Sequence, residues 1–289
     1  MASSTKNRTK LRAKRTLYVI LAAVIVVIAA IGSAFAYQNS QAAGETVVKV
    51  GLVGNSDDNV WKAVQAQLDK EHANIKLEYK TFQDGIYTNQ ALSNKELDIT
   101  AFQHYAFLNQ EIKDKGYKFT VIGNTYVSPF NLYSDKYKSL KDFKSGDKVA
   151  IPNNATNLGR ALKVLDSAGL IKLKDSSAEN PTVDDVQSNP SGIEIVPNDA
   201  ASILNLLPDY AAGITNTNFV LDAGKSPNDA LYAPTISATS KSFRPYVNVI
   251  VANTDQKNNS TYKKIVEAYH TSAVATQIKK NSNIPFFSK

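Results

Sequence analysis

The residues best placed to do chemistry stand in one stretch, "IPNNATNLGRAL" (151–162). An apolar run ending at Pro152 reads as a buried strand. It is followed by Asn153, Asn154, Thr156 and Asn157, and then by Arg160 in what reads as the opening turn of a helix. A cation in that turn opposes the positive end of the helix dipole, at a cost of about 0.3 kcal/mol or more, so some other group should hold it. Leu158, Leu162 and Leu165 mark the core face of this helix, and Arg160 lies about 140° from the centre of that face at 100° per residue. Two readings follow. Arg160 is a solvated surface residue with its stem along the helix, or it is a guanidinium fork for a carboxylate, with Asn157 and the neighbouring Asn and Thr side chains as further donors.

A second stretch, "AFQHYAFL" (101–108), sets His104 among Phe102, Tyr105 and Phe107 between a strand and a helix. Such a His is either a satisfied structural group or a ligand contact that offers one hydrogen bond inside an apolar pocket. His72 and His270 lie in polar helical text and read as surface residues. Three scattered His and no Cys offer no zinc spacing. The chain has no G-x-S-x-G elbow, no G-x-x-x-x-G-K-[ST] phosphate loop and no G-x-G-x-x-G fingerprint. Asp57-Asp58 and Asp184-Asp185 are adjacent pairs of the kind that mark helix starts and loops. The expectation is therefore a protein that is not an enzyme and needs no cofactor or metal.

The elements that must position these residues alternate. "TVVKVGLVG" (46–54) and "IKLEYKTF" (75–82) read as strands on either side of a helix over 57–73, with Val60, Val64 and Leu68 on one face. Helical "YAFLNQEIKDKGY" (105–117) leads into strand-like "KFTVIG" (118–123) and "YVSPFNLYS" (126–134). "DKVAIPN" (147–153) feeds the helix that carries Arg160. "IEIVPN" (193–198) and "ASILNLLP" (201–208) repeat the pattern, and "YAAGIT" (210–215) and "YVNVIVANT" (246–254) add two strands. This order predicts α/β lobes with largely parallel sheets. The segments 123–134 and 241–253 read as two crossings between lobes, which would make a hinge and a cleft. The expected division is lobe 1 over 47–125 plus 248–289 and lobe 2 over 126–247.

The formal charge of +7 is uneven. Lys6, Arg8, Lys10, Arg12, Lys14 and Arg15 all precede the first acidic residue, Glu45, and without those six the 33 basic residues become 27 against 26 acidic ones. A nearly neutral body removes the case for nucleic acid. After this basic tail (1–15), residues 16–36 carry no charge, and 21 residues in a helix span roughly 30 Å of hydrocarbon. Basic residues before the segment and none just after it place the N-terminus inside and the body outside. A cleaved signal ending at Ala36 is the alternative reading, since Ala34-Phe35-Ala36 suits a cleavage site. Residues 37–46 read as a linker. Without Cys, an exported body has neither disulfides nor a lipid-bearing thiol.

"VKVGLVG", "ALSNKELDITAFQHYAFLNQEIKDKGYK", "VIGNTYVSPFNLYS", "VAIPNNATNLGRALKVLDSAGLIKLKD" and "YVNVIVAN" together resemble the methionine-binding, NlpA-type substrate-binding proteins of ABC importers, over nearly all of 47–285. The resemblance implies a two-lobed fold of the periplasmic-binding-protein kind (type II), acting as a monomer. It would close over an L-amino acid, most often methionine, and pass it to a permease driven by an ATPase. It also implies that Arg160 binds the ligand carboxylate, that His104 contacts the ligand, and that Asn216 and Asn248 bind its polar groups, with Phe102, Phe107 and Tyr87 as pocket walls. Two positions depart from the family pattern. Gly85 stands where an aromatic residue is usual, with Tyr87 two positions on, and Phe107 stands where Tyr is usual. A lost ring and a lost hydroxyl are expected to enlarge the pocket. The family's lipid-bearing Cys is missing as well, and residues 16–36 are expected to take over as a membrane anchor. The competing functions are a sensory or adhesive ectodomain of the same fold, a binder of another amino acid or short peptide, and a secreted hydrolase.

Overall fold

The computed structural model describes residues 44–235 and 241–288. The basic tail, the apolar segment 16–36 and residues 37–43 of the linker lie outside the described residues. Among the described residues, no helix is long and apolar enough to cross a membrane.

Alternating burial builds the first strands. β1 (Thr46–Val53) sends Val48, Val50 and Leu52 into the core. α1 (Asp58–Lys70) follows and buries Val60, Trp61, Val64 and Leu68, the one-sided stripe of an amphipathic helix. β2 (Ile75–Phe82), α2 (Gly85–Ser93), β3 (Ile99–His104), α3 (Tyr105–Lys115) and β4 (Phe119–Val127) come next. Two further strands, β11 (Val247–Asn253) and β12 (Ile284–Pro285), and two helices, α7 (Ser260–Tyr269) and α8 (Ser272–Lys280), return to this part of the molecule. The six strands form one sheet in the order β12-β4-β11-β3-β1-β2. β11 is central and buried on both faces, which accounts for its largely apolar sequence. The one polar residue inside that sequence is Asn248, paired across the ladder with His104.

A four-stranded sheet has the order β5-β10-β6-β9, from β5 (Leu132–Tyr133), β6 (Lys148–Pro152), β9 (Glu194–Asn198) and β10 (Ala212–Ile214). Packed with it are α4 (Ala155–Ser167), α5 (Ile203–Leu206) and α6 (Thr217–Asp222), and a small ribbon of β7 (Lys172–Leu173) and β8 (Val186–Ser188) lies beside them. The chain leaves the first sheet at Val127 and enters the second at Leu132; a short turn over Lys241–Tyr246 precedes the return along β11. Separate apolar clusters stand on the two sheets, one around Trp61 and Tyr269 and one around Phe130, Leu162 and Leu165.

Two expectations need correction. The sheets are mixed: β11 runs antiparallel to both β3 and β4, and β10 runs antiparallel to β5, while β1/β3, β6/β9 and β6/β10 are parallel. Strand direction is fixed by pairing between segments 80 or more residues apart, which local alternation does not encode. The strand expected over 126–134 is only Leu132–Tyr133, because Val127 completes β4 and Pro129 interrupts the run.

Candidate functional site

The loops that follow β1, β2, β3, β6, β9 and β10 all meet at one cavity. Val53, Gln83, His104, Asn153, Asp199 and Asn216 line it, each at or just beyond the carboxyl end of its strand. That is where α/β sheets carry their ligands, because the next helix begins there with its amides turned inward. The cavity admits the centres of water molecules over about 120 Å³, a space suited to a small molecule.

Arg160 is 8% exposed, buried although it lies away from the core face of its own helix. The far side of α4 is covered from across the cavity by α3 and by the turn ending at Tyr246. Its guanidinium carbon lies 4.4 Å from the ring centres of both Phe130 and Tyr246, and Nη2 donates to the Ser128 carbonyl at 2.9 Å. Burial lowers its pKa to about 10, with Tyr246 acting in the opposite sense, so it stays charged at neutral pH. Among the described residues, no carboxylate forms an ion pair with it. A buried cation without a counter-ion is costly, and an incoming carboxylate would offset that cost. The helix begins at Ala155 with Asn154 as its cap, whose Oδ1 accepts the Asn157 amide at 3.1 Å. Arg160 is thus in the second turn, not the first, beyond the reach of most of the dipole penalty.

His104 caps α3, and its Nδ1 accepts the Phe107 amide at 3.1 Å. Nε2 therefore carries the proton and faces Asn157 Oδ1 at 3.1 Å, a bond that crosses the cavity from β3 to α4. Burial first, then the charge of Arg160, lowers the His104 pKa to about 4, so the ring is neutral under ordinary conditions. Asn157 spends its side-chain oxygen on His104, and its side-chain Nδ2 donates to no acceptor among the described residues. Asn216 stands at the N-cap of α6 without making a cap bond, which leaves its side chain for the cavity. Asn248 is 8% exposed and donates to the Tyr126 carbonyl at 3.4 Å. Phe102 and Phe107 meet edge to face with ring centres 6.2 Å apart. The arrangement offers one fixed cation, several amides, the carboxylates of Asp84 and Asp199, and an aromatic corner. Those are complements for the carboxylate, ammonium and side chain of a small zwitterion.

Of the residues singled out in the sequence, Arg160, His104, Asn157, Asn216, Asn248, Phe102 and Phe107 come together here, and Tyr87 does not. Tyr87 is 65% exposed on the outer face of α2, two residues and about 200° of helix from Gly85. The space at Gly85 is not open either, because a Cβ there would meet Cε2 of Phe102 at 2.4 Å. His270 is half-buried rather than at the surface; its ring stacks on Phe287, and its Nε2 lies 2.7 Å from the Asn124 carbonyl. Residues missed in the sequence include Phe130 and Tyr246. Each is an aromatic beside a Pro in a crossing segment, and that pairing was the available signal. Asp84 and Asp199, immediately after strands β2 and β9, were also open to the strand-end rule.

The NlpA lipoprotein family model matches residues 48–286. A D-methionine-binding lipoprotein MetQ of Yersinia pestis is 39% identical over 239 residues, covering 82% of this chain and 86% of the relative, and the Escherichia coli K12 protein of the same name is 38% identical. Among solved structures, the methionine-binding protein MetQ superposes with a TM-score of 0.79 at 35% identity, over 84% of this chain and 99% of that one. A nutrient-binding protein from Burkholderia cenocepacia, solved bound to methionine, gives 0.77 at 37% identity over 83% and 100%. Their mixed α/β, two-lobed architecture is the one described above. With the family model matched across both sheets and the relatives covered over 82% or more of their length, this chain belongs to the NlpA lipoprotein family.

Proposed function

We propose that this protein is the substrate-binding component of an ABC importer, which takes up methionine in the cavity between its two sheets and delivers it to a permease and its ATPase. The observation that carries the reading is Arg160, a buried cation with no ion-paired carboxylate among the described residues, facing a cavity lined with unspent amides. Similarity to proteins named for methionine supports the choice of ligand. In this reading Arg160 seats the ligand carboxylate, Asn157, Asn216 and Asn248 bind its polar groups, and the His104–Asn157 bond helps to hold the closed form. Lobe 1 is then residues 47–125 with 248–289 and lobe 2 is 126–247, with the crossings at 128–131 and 241–246 as the hinge. The site binds and releases without chemistry, as a monomer.

The test is to unfold the protein, remove bound molecules, refold it and offer an equimolar mixture of L-amino acids with D-methionine in native mass spectrometry. A complex carrying one methionine is expected. Selection of a different amino acid, or of none, would refute the assignment.

Anchoring is part of the same proposal. This sequence has no Cys, so a lipid joined to a cysteine sulfur has no attachment point in it, and the 21 uncharged residues 16–36 serve instead, with the body outside the cell. Full-length protein should stay with membranes through a high-salt wash. Mature protein in the medium beginning at Tyr37 would show a cleaved signal.

A further inference from the structure

Gly85 opens α2 at an ordinary helical position. It is not among the glycines with positive φ, so its backbone geometry does not call for glycine. Space does. A Cβ built there would stand 2.4 Å from Cε2 of Phe102 and 3.2 Å from both Cδ2 and Cζ, against one edge of the ring. Contacts under 3 Å are not met by real side chains, and this one is against an aromatic ring already held edge to face by Phe107. Both Phe102 and Gly85 line the cavity.

The strand sets the distance from this ring to the charged end of the site. Phe102 and His104 are two apart on β3, so they share a face and stand roughly 6.6 Å from one another along the strand. His104 bonds Asn157, which is one turn before Arg160 on α4. A ligand whose carboxylate lies at Arg160 therefore has its side chain directed past His104 toward the Phe102–Phe107 corner. A thioether suits such a corner, since sulfur packs well against aromatic edges.

We infer that Gly85 is a positioning residue for ligand selectivity: by leaving its side-chain space to the Phe102 ring, it holds that ring back from the cavity and sets the length of side chain the site accepts. The inference rests on the amino-acid reading above.

A double-mutant cycle with a ligand panel tests it. Gly85→Ala, Phe102→Ala and the double variant are titrated calorimetrically with methionine, alanine and phenylalanine, after circular dichroism has verified each fold. In Gly85→Ala the ring is pushed into the cavity. Methionine affinity should fall about tenfold or more, while alanine, too short to reach the corner, should change little. That shift in the methionine-to-alanine ratio is not expected from general loosening of the fold. Phe102→Ala should admit phenylalanine, and the double variant should bind methionine better than Gly85→Ala does, because the clash has gone. A Gly85→Ala protein with wild-type methionine affinity, or a double variant whose loss equals the sum of the single losses, would overturn the inference and leave the functional reading standing. Wild-type protein that binds no member of the panel would overturn both.

Discussion

Replacing Arg160 with Ala should strip ligand binding while leaving the fold intact. The guanidinium carbon lies 4.4 Å from the centres of both the Phe130 and Tyr246 rings, with one hydrogen bond to the Ser128 carbonyl and, among the described residues, no carboxylate partner. A ligand carboxylate would complete its coordination by accepting the remaining N–H groups. Truncation would leave that anion in a closed cavity without its counter-charge, a penalty of about 2 to 5 kcal/mol, or roughly thirty- to several-thousand-fold in affinity. Arg160→Lys should recover only part of the loss, because an ammonium keeps the charge but cannot present a planar fork or stack between two rings. The empty protein should respond in the opposite sense. Burial already pushes the Arg160 pKa down to about 10, so an uncharged residue of similar volume, as in Arg160→Met, should raise the melting temperature of ligand-free protein. Calorimetric titration gives the first quantity and thermal denaturation the second. Wild-type affinity in Arg160→Ala would refute the reasoning, and so would strong destabilisation of the ligand-free Arg160→Met variant.

Three further outcomes follow from other sites. Asp57 is hydrogen-bonded by Tyr126 and Asn281, and burial raises its pKa from 3.8 to about 6. Its ionisation therefore costs little below pH 4 and about 2 to 3 kcal/mol above pH 7, so Asp57→Asn should gain in melting temperature over wild type as pH rises from 4 to 8; a constant difference would contradict this. His104 shifts the other way, from 6.5 to about 4. Its contribution is complete above pH 6.5 and is lost as pH falls through 4, so wild type should lose more thermal stability between pH 7 and pH 4 than His104→Gln does, and equal losses would count against the neutral buried ring. Asp222, the last residue of α6, accepts the Asn55 backbone amide at 3.1 Å, and Gly54 has φ +72° with no room for a Cβ beside that carboxylate. Asp222→Ala should speed ligand release about three- to tenfold in stopped-flow measurements, and an unchanged off-rate would show that this contact does not hold the cavity closed.

Much of the site was legible because its residues break local patterns. His104 stands in an aromatic stretch at a strand end, and Asn154 and Asn157 lie where a strand becomes a helix, whereas Asn216 and Asn248 were reached only through the family resemblance. Burial of Arg160 was not legible, since helical periodicity reports only the face turned to a helix's own sheet. The covering residues, Tyr246 and Phe130, come from distant segments. α2 escaped notice for a related reason: its buried side includes Thr88 and Asn89, and Asn89 is satisfied by a reciprocal amide pair with Gln103 rather than by apolar contact. Tyr87 and Gly85 show the limit of reasoning from a motif. Two residues of helix, about 200°, send Tyr87 into solvent, and the space expected at Gly85 is filled by a ring from a nearby strand.

The central claim is that methionine sits in this cavity with its carboxylate on Arg160, and a crystal structure of refolded protein soaked with L-methionine tests it most directly. The anomalous signal of the ligand sulfur locates the side chain, since the chain contains one Met, Met1, and no Cys. The account predicts the carboxylate within about 3.2 Å of the Arg160 guanidinium, an amide of Asn157, Asn216 or Asn248 on its polar groups, and the sulfur at the Phe102–Phe107 corner. Methionine bound elsewhere, or held in the cavity with its carboxylate turned away from Arg160, would contradict it.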